Sequence, residues 1–257
     1  MLTMVTTDNV LVFTFVLMRM SGCILFNPII GRRSLPNLYK AALIMTLTLL
    51  VVAYTNPVLP EIDSTIELFI KLMAEFFVGF TIGFIINLFI LVISFGGEVI
   101  DYQMGLSMAK IFDPASNINM SLSASFFNIL FTLLFFISNG HLTMIRIFME
   151  TERLVPYGQV VLPFNVSGTV MNIFFQCTVM AVKLALPIIV VEFLVEMGVG
   201  IIMKAIPQIN IFVINIQLKV VMGLLMLVFM FGPFAAFIEN LMNTMFEAIN
   251  AAVATLG

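Results

Sequence analysis

The sequence has no tryptophan, and its 257 residues include only four tyrosines, two cysteines and one histidine. Charged residues are also scarce: they make up 10% of the chain, against about 25% in soluble domains. Hydrophobic residues make up 61%, in long runs that leave no room for a soluble domain. This composition excludes an ordinary soluble protein and predicts an all-α integral membrane protein, because runs of about 20 apolar residues cross a bilayer as helices.

The shortage of tryptophan and tyrosine also concerns the surface of the protein. Bilayer proteins usually place these residues at both membrane interfaces, and such belts cannot form here. Two explanations stay open: much of the apolar surface contacts protein rather than lipid, or the genome encodes little tryptophan in general.

The residue types that carry chemistry are too few or too scattered for most kinds of active site. Cys23 and Cys177 both lie in apolar runs, where small buried side chains are expected rather than a disulfide or a metal site. His141 follows an Asn-Gly pair, so it is either an exposed polar residue or a proton relay. No GxxxxGK[ST] motif, metal-ligand spacing or nucleophile–base pair occurs. We therefore expect no enzyme, no cofactor and, without a basic run, no nucleic-acid partner.

Hydropathy predicts six membrane spans with both ends of the chain outside. The first span contains Arg19, and a lone arginine at mid-span costs roughly 2.5–3.5 kcal/mol. We expect Arg19 to face an acid, a partner helix or water, unless it reaches an interface. In the third span, Lys71 and Glu75 have the spacing of an ion pair on one helix face. Gly79 and Gly83 extend the stripe of Glu75 and allow another helix to approach closely.

Charged residues also interrupt the last two long apolar segments. Glu192 and Glu196 are one helical turn apart, so they repel each other unless one is protonated or a base lies near. Lys183 precedes them in the chain and Lys219 follows them. We expect Lys183 and Glu192, like Arg19, to make contacts between helices or subunits rather than a proton path.

One polar stretch, residues 96–119, interrupts the apolar chain, and we name it the central segment. It contains three acids, one lysine, three glycines and one proline, while apolar residues remain frequent. Irregular backbone at membrane depth persists only when it is buried in protein or lines a wet cavity. The central segment is therefore predicted to be the moving part of a pore or gate.

Short motifs follow one another along nearly the whole chain. From the N-terminus they are Arg19-Met20-Ser21-Gly22, Pro28, Gly31-x-x-x-x-Pro36, Glu75-x-x-x-Gly79-x-x-x-Gly83, Gly97-Glu98, Gln103 to Ala109, Asp113-Pro114, and Pro207-Gln208-Ile209-Asn210-Ile211-Phe212 with Lys219 and Gly223. No single motif is diagnostic, but their order and spacing resemble the FliR family of the type III export gate, in flagella and in virulence secretion systems. Asp101, Asn215 and Gln217 depart from the residues that this family tends to have, which are Gly, Gly and Pro.

The resemblance implies an assembly of tilted helical hairpins with broken or kinked helices. Residues 1–160 would be a FliP-like half that contains the central segment, and residues 161–257 a FliQ-like hairpin and tail. The chain would then be a channel-forming subunit in a bacterial cell membrane, at the flagellar basal body, that passes unfolded flagellar proteins. The implied partners are FliP-like, FliQ-like, FlhB-like and FlhA-like proteins in one hetero-oligomer.

The resemblance also implies that the central segment is the plug of this channel. The residues expected to fill the resting pore are Met104, Gly105, Leu106, Met108, Ile111 and Phe112. Flexible thioethers repack easily, and Gly96 and Gly97 would act as hinges; alternatively, the methionines only fill space between helices. The contacts between helices or subunits are expected at Arg19, Lys71, Glu75, Gly79, Gly83, Lys183, Glu192, Pro207, Asn210 and Lys219.

Two other classes of function stay open. A secondary transporter also has broken helices and buried charges, but it should show similarly interrupted segments in two inverted halves, and the break at Pro207 has no clear mirror. A small-ion channel should repeat a filter or a charged ring by symmetry. A transporter would be stable alone or as a homodimer, whereas an export-gate subunit would co-purify with other small membrane proteins.

Overall fold

The computed structural model describes residues 7–32, 34–54, 62, 64–107, 121–160, 165–205 and 211–256. In chain order, its helices are α1 (Thr7–Leu25), α2 (Asn37–Tyr54), α3 (Thr65–Gln103), α4 (Leu122–Ile137), α5 (Gly140–Leu154), α6 (Asn165–Ala205), α7 (Ile211–Phe229) and α8 (Phe231–Ala254). Every regular element in the described ranges is an α-helix, so the predicted all-α class is confirmed.

Several helices have the length and composition of membrane spans. Within the described residues these are α2, α3 and the part of α6 from Ser167 to Ala205, and the count rises to five if α4–α5 and α7–α8 each cross as one bent span. The integral membrane class is thereby confirmed. The shorter apolar helix Asn9–Leu25, part of α1, would be the sixth span, so the count of six stays a prediction.

Polar caps set the starts of α3 and α4. Ser64 Oγ accepts a hydrogen bond from the amide of Ile66 at 3.3 Å. Ser121 Oγ accepts one from the amide of Ala124 at 3.1 Å, which makes Ser121 the N-cap of α4. The Asp113-Pro114 motif lies outside the described residues.

The chain divides into two compact units, and the boundaries between them fall inside α3, α6 and α8 and at the junction of α4 and α5. The first unit comprises residues 1–89, 139–174 and 242–257, and the second comprises residues 90–138 and 175–241. The predicted division at residues 160 and 161 concerns two halves of the sequence rather than compact units, and it stays a prediction.

Glycines bring α1 and α3 together in the first unit. A Cβ atom added to Gly22 would lie 2.5 Å from the carbonyl oxygen of Phe76, and one added to Gly79 would overlap the carbonyl oxygen of Arg19. One turn further along α3, a Cβ atom on Gly83 would lie 2.9 Å from Cβ of Phe26. The two backbones are therefore closer than any side chain at these positions would permit, as in other helix pairs with small residues at the contact.

Replacing Gly79 by Ala is expected to destabilise the detergent-solubilised protein, because the added methyl group overlaps backbone atoms that cannot rotate away. Overpacking of this kind costs about 1–3 kcal/mol, which outweighs the gain of about 1 kcal/mol that Ala brings over Gly in a helix. We expect thermal unfolding to show a Tm lower by several degrees.

The matched control is Gly198→Ala in α6, where, apart from its own turn of helix, no described atom lies within 4 Å of an added Cβ. This variant should keep the Tm or raise it slightly. Equal Tm values for the two variants would contradict the close approach of α1 and α3.

Candidate functional site

Arg19 lies at the centre of a fully buried cluster in the first unit. Its Nε donates to Oε2 of Glu75 at 2.6 Å, and neither side chain is exposed. Its Nη1 donates to the carbonyl oxygen of Val155 at 2.8 Å and to the hydroxyl of Thr151 at 3.3 Å. The guanidinium carbon stands 4.2 Å from the centre of the Tyr157 ring, a cation–π arrangement. The cluster therefore joins α1, α3, the end of α5 and the turn that follows α5.

The turn after α5 also contacts Glu75, the acid of the cluster. The amide of Gly158 donates to Oε1 of Glu75 at 2.7 Å, so both carboxylate oxygens of Glu75 accept a hydrogen bond. Gly158 has φ +75°, a left-handed conformation that glycine adopts without strain. Burial raises the pKa of the Tyr157 phenol, which keeps this ring neutral beside the ion pair. The cluster thus fixes the first residues of the connector between α5 and α6.

The ion pair expected between Lys71 and Glu75 is wrong. Lys71 Nζ lies 2.8 Å from Oε1 of Glu67, one turn before it, and that pair is partly exposed. Glu67 offers Lys71 the same four-residue spacing as Glu75, and Glu75 faces Arg19 of α1 instead. Because the side chain of Arg19 is fully buried, the alternative that it extends to an interface is also wrong.

The predicted hinge glycines lie inside a helix, because α3 continues through the first part of the central segment to Gln103. A Cβ atom on Gly97 would lie 2.8 Å from Cβ of Ala124, and one on Gly96 would lie 2.8 Å from Cδ2 of Leu184. In the described structure both glycines therefore serve the close packing of α4 and α6 on α3. Their role as hinges stays a prediction.

Helix α3 ends in a tight turn around Gly105. The amide of Leu106 donates to the carbonyl oxygen of Asp101 at 3.0 Å, and Gly105 has φ +78°; this is the Schellman pattern of helix ends, with glycine in its usual place. The side chain of Met104 is fully buried, and a Cβ atom on Gly223 of α7 would lie 2.8 Å from its Sδ. In this conformation Met104 fills a contact between helices. The other predicted plug residues lie outside the described residues: Met108, Ile111 and Phe112.

Asp101 connects the end of α3 to the start of α4. Its Oδ2 accepts hydrogen bonds from the Ser121 hydroxyl and the Leu122 amide, each at 2.6 Å, and its Oδ1 accepts one from the Ser123 amide at 3.1 Å. A carboxylate is favoured at this place because a helix N-terminus presents unpaired amides and a partial positive charge. No motif in the sequence indicates this role, since the partners lie some 20 residues apart along the chain.

Only some of the charged side chains of α6 and α7 pair with each other. Lys219 of α7 pairs with Glu196 of α6, so a base does relieve the repulsion expected between the two acids. Glu192 is fully buried, and neither of its carboxylate oxygens has a hydrogen-bond partner among the described residues. Lys183 is exposed on α6. Pro207 and Asn210 lie outside the described residues, and within those residues no group of His, Cys, Asp and Glu could hold a metal ion.

The sequence matches a known protein family over most of its length. The model of the family described as "Bacterial export proteins, family 1" matches residues 10–245. The chain is 29% identical over 243 residues to the "Flagellar biosynthetic protein FliR" of Escherichia coli (strain K12), covering 93% of this chain and 92% of that protein. It is 24% identical over 250 residues to the protein of the same name from Bacillus subtilis (strain 168), covering 95% of each.

Replacing Glu75 by Gln is expected to destabilise the protein strongly, because it leaves Arg19 buried without a counter-charge. Loss of one partner of a buried pair costs about 3–5 kcal/mol, which should appear as a lower Tm and a lower yield of folded protein in detergent. The double variant Arg19→Met, Glu75→Gln should lose less stability than the sum of its two single variants.

The control is Glu67→Gln, which breaks the partly exposed pair with Lys71 on the same helix. Exposed pairs contribute about 0–1 kcal/mol, so this variant should unfold close to the wild-type Tm. If Glu67→Gln and Glu75→Gln lower the Tm equally, the buried pair does not stabilise the fold as described.

Proposed function

This chain belongs to the bacterial export proteins, family 1, and we propose that it is a channel-forming subunit of the flagellar type III export gate. It is a membrane component of flagellar export, since its relatives are flagellar biosynthetic proteins matched over nearly their whole length. The single observation that carries the proposal is the family match over residues 10–245. In this role the chain passes unfolded flagellar proteins across the cell membrane at the flagellar basal body.

The proposed gate is a hetero-oligomer of this chain with FliP-like and FliQ-like membrane subunits, together with FlhB-like and FlhA-like export components. Residues 1–160 would take the place of a FliP-like half and residues 161–257 that of a FliQ-like half. Exposed apolar side chains along α6 support such an assembly, since they need a protein or lipid cover; examples are Phe193, Leu194 and Ile201. The exposed Lys183 on the same helix favours a protein with hydrogen-bonding groups over lipid alone.

Within the gate, the central segment is proposed to seal the resting channel. Its apolar residues would deform around a passing chain and close again, because thioethers and aliphatic side chains repack at small cost. Two features of the described residues beside the proposed seal support this role. The Schellman turn at Gly105 directs the chain out of α3, and Asp101 holds the first turn of α4 beside that exit.

Native mass spectrometry tests the assignment to the gate. The tagged chain is co-expressed with its neighbouring genes and extracted in mild detergent. We expect one copy in a large complex with several copies of two smaller membrane proteins, and no such complex when the chain is expressed alone. A monomer or homodimer under both conditions would contradict the proposal and favour a secondary transporter.

An ion-leak assay tests the plug. Serine at Met108, Ile111 and Phe112 should hydrate the proposed seal, so cells that assemble the variant gate should lose membrane potential several-fold faster, as followed with a potential-sensitive dye. The matched control places leucine at the same three positions, which keeps apolar volume and should keep the seal. Unchanged leak in the serine variant, with the complex intact by native mass spectrometry, would overturn the plug.

A further inference from the structure

We propose that Asp101, within the central segment, is a positioning residue that ties the end of α3 to the start of α4. Its carbonyl oxygen closes the turn that ends α3, and its side chain caps the first turn of α4. The consequence for channel closure rests on the proposed function, whereas the tie itself is a property of the second unit alone.

The first half of the tie is made by the backbone of Asp101. Its carbonyl oxygen accepts the amide of Leu106 at 3.0 Å, the long-range bond of the Schellman turn. Gly105 supplies the left-handed conformation that this turn needs, with φ +78°. The direction in which the chain leaves α3 is therefore set by a bond to Asp101.

The second half is made by the carboxylate. It accepts from the Ser121 hydroxyl and the Leu122 amide at 2.6 Å and from the Ser123 amide at 3.1 Å. These amides belong to the first turn of α4, where no carbonyl of the helix itself can reach them. Ser121 in turn accepts the amide of Ala124 at 3.1 Å, so the carboxylate and the N-cap act as one network.

The carboxylate of Asp101 and the first turn of α4 stabilise each other. Asp101 is 2% exposed, and a buried carboxylate is costly without donors. Among the described residues no cation pairs with Asp101, so the amides and hydroxyl of α4 are what stabilise its charge. Conversely, the first amides of α4 have no acceptor within their own helix, and Asp101 supplies one.

The neighbouring packing agrees with a fixed contact. A Cβ atom on Gly97, one turn before Asp101, would lie 2.8 Å from Cβ of Ala124. The backbones of α3 and α4 are therefore in close contact at the same level as the hydrogen bonds. Leu106 and Ser121 therefore both contact Asp101, which anchors the end of α3 and the start of α4 together.

Hydrogen exchange of the assembled complex, read by mass spectrometry on peptides that cover residues 121–126, tests the tie. Asp101→Ala should speed exchange of the Leu122 and Ser123 amides at least tenfold. Asp101→Asn should give an intermediate rate, because its amide group keeps one acceptor oxygen but turns the other into a donor. The control Glu98→Gln neutralises an exposed acid on the same helix and should leave these rates unchanged.

Ion leak measured on the same variants separates the tie from the plug. Faster exchange together with more leak supports both, and faster exchange with unchanged leak supports the tie and counts against the plug. Unchanged exchange at residues 121–126 in Asp101→Ala and Asp101→Asn, with the complex intact, would overturn the tie whatever the leak. Should Asp101→Ala fail to assemble, the Asp101→Asn and Glu98→Gln pair decides the question alone.

Discussion

The burial of Arg19 beside Glu75 is the constraint on which the first unit depends. A buried ion pair is tolerated only when good geometry and further hydrogen bonds compensate the loss of water. The carbonyl oxygen of Val155 and the amide of Gly158 supply those bonds, so the turn after α5 has to lie against α1 and α3. The close approach at Gly79 brings the helices near enough for this contact. The close approach at Gly79, the ion pair of Arg19 with Glu75 and the turn after α5 therefore depend on one another.

Three buried acidic side chains of this protein differ in the partners that stabilise them. Glu75 is matched by a guanidinium, and Asp101 by the amides at a helix N-terminus. Glu192 is buried without a hydrogen-bond partner among the described residues. The first two solutions are complete within the chain and hold helices together. The carboxylate of Glu192 receives no hydrogen bond from the described residues.

The fold class and the family could be predicted from the sequence because they depend on properties spread along it: apolar runs, and motifs in a fixed order. The cost of Arg19 in a membrane span predicted a partner, but sequence spacing paired Glu75 with Lys71 instead. Sequence spacing identifies possible ion-pair partners within one helix, but it does not show whether a residue of another helix lies closer. For the same reason sequence spacing did not indicate the packing of Gly97 against Ala124 or the distant amide partners of Asp101.

The buried ion pair has a consequence for the biosynthesis of the protein. Glu75 follows Arg19 by 56 residues, which corresponds to about 3–11 seconds of translation at about 5–20 residues per second. The carbonyl oxygen of Val155 is made still later. During this interval the ribosome has delivered α1 with an unpaired arginine in a short apolar helix. The contacts that hold α1 in this position are therefore complete only after α3 and the turn that follows α5 have been made.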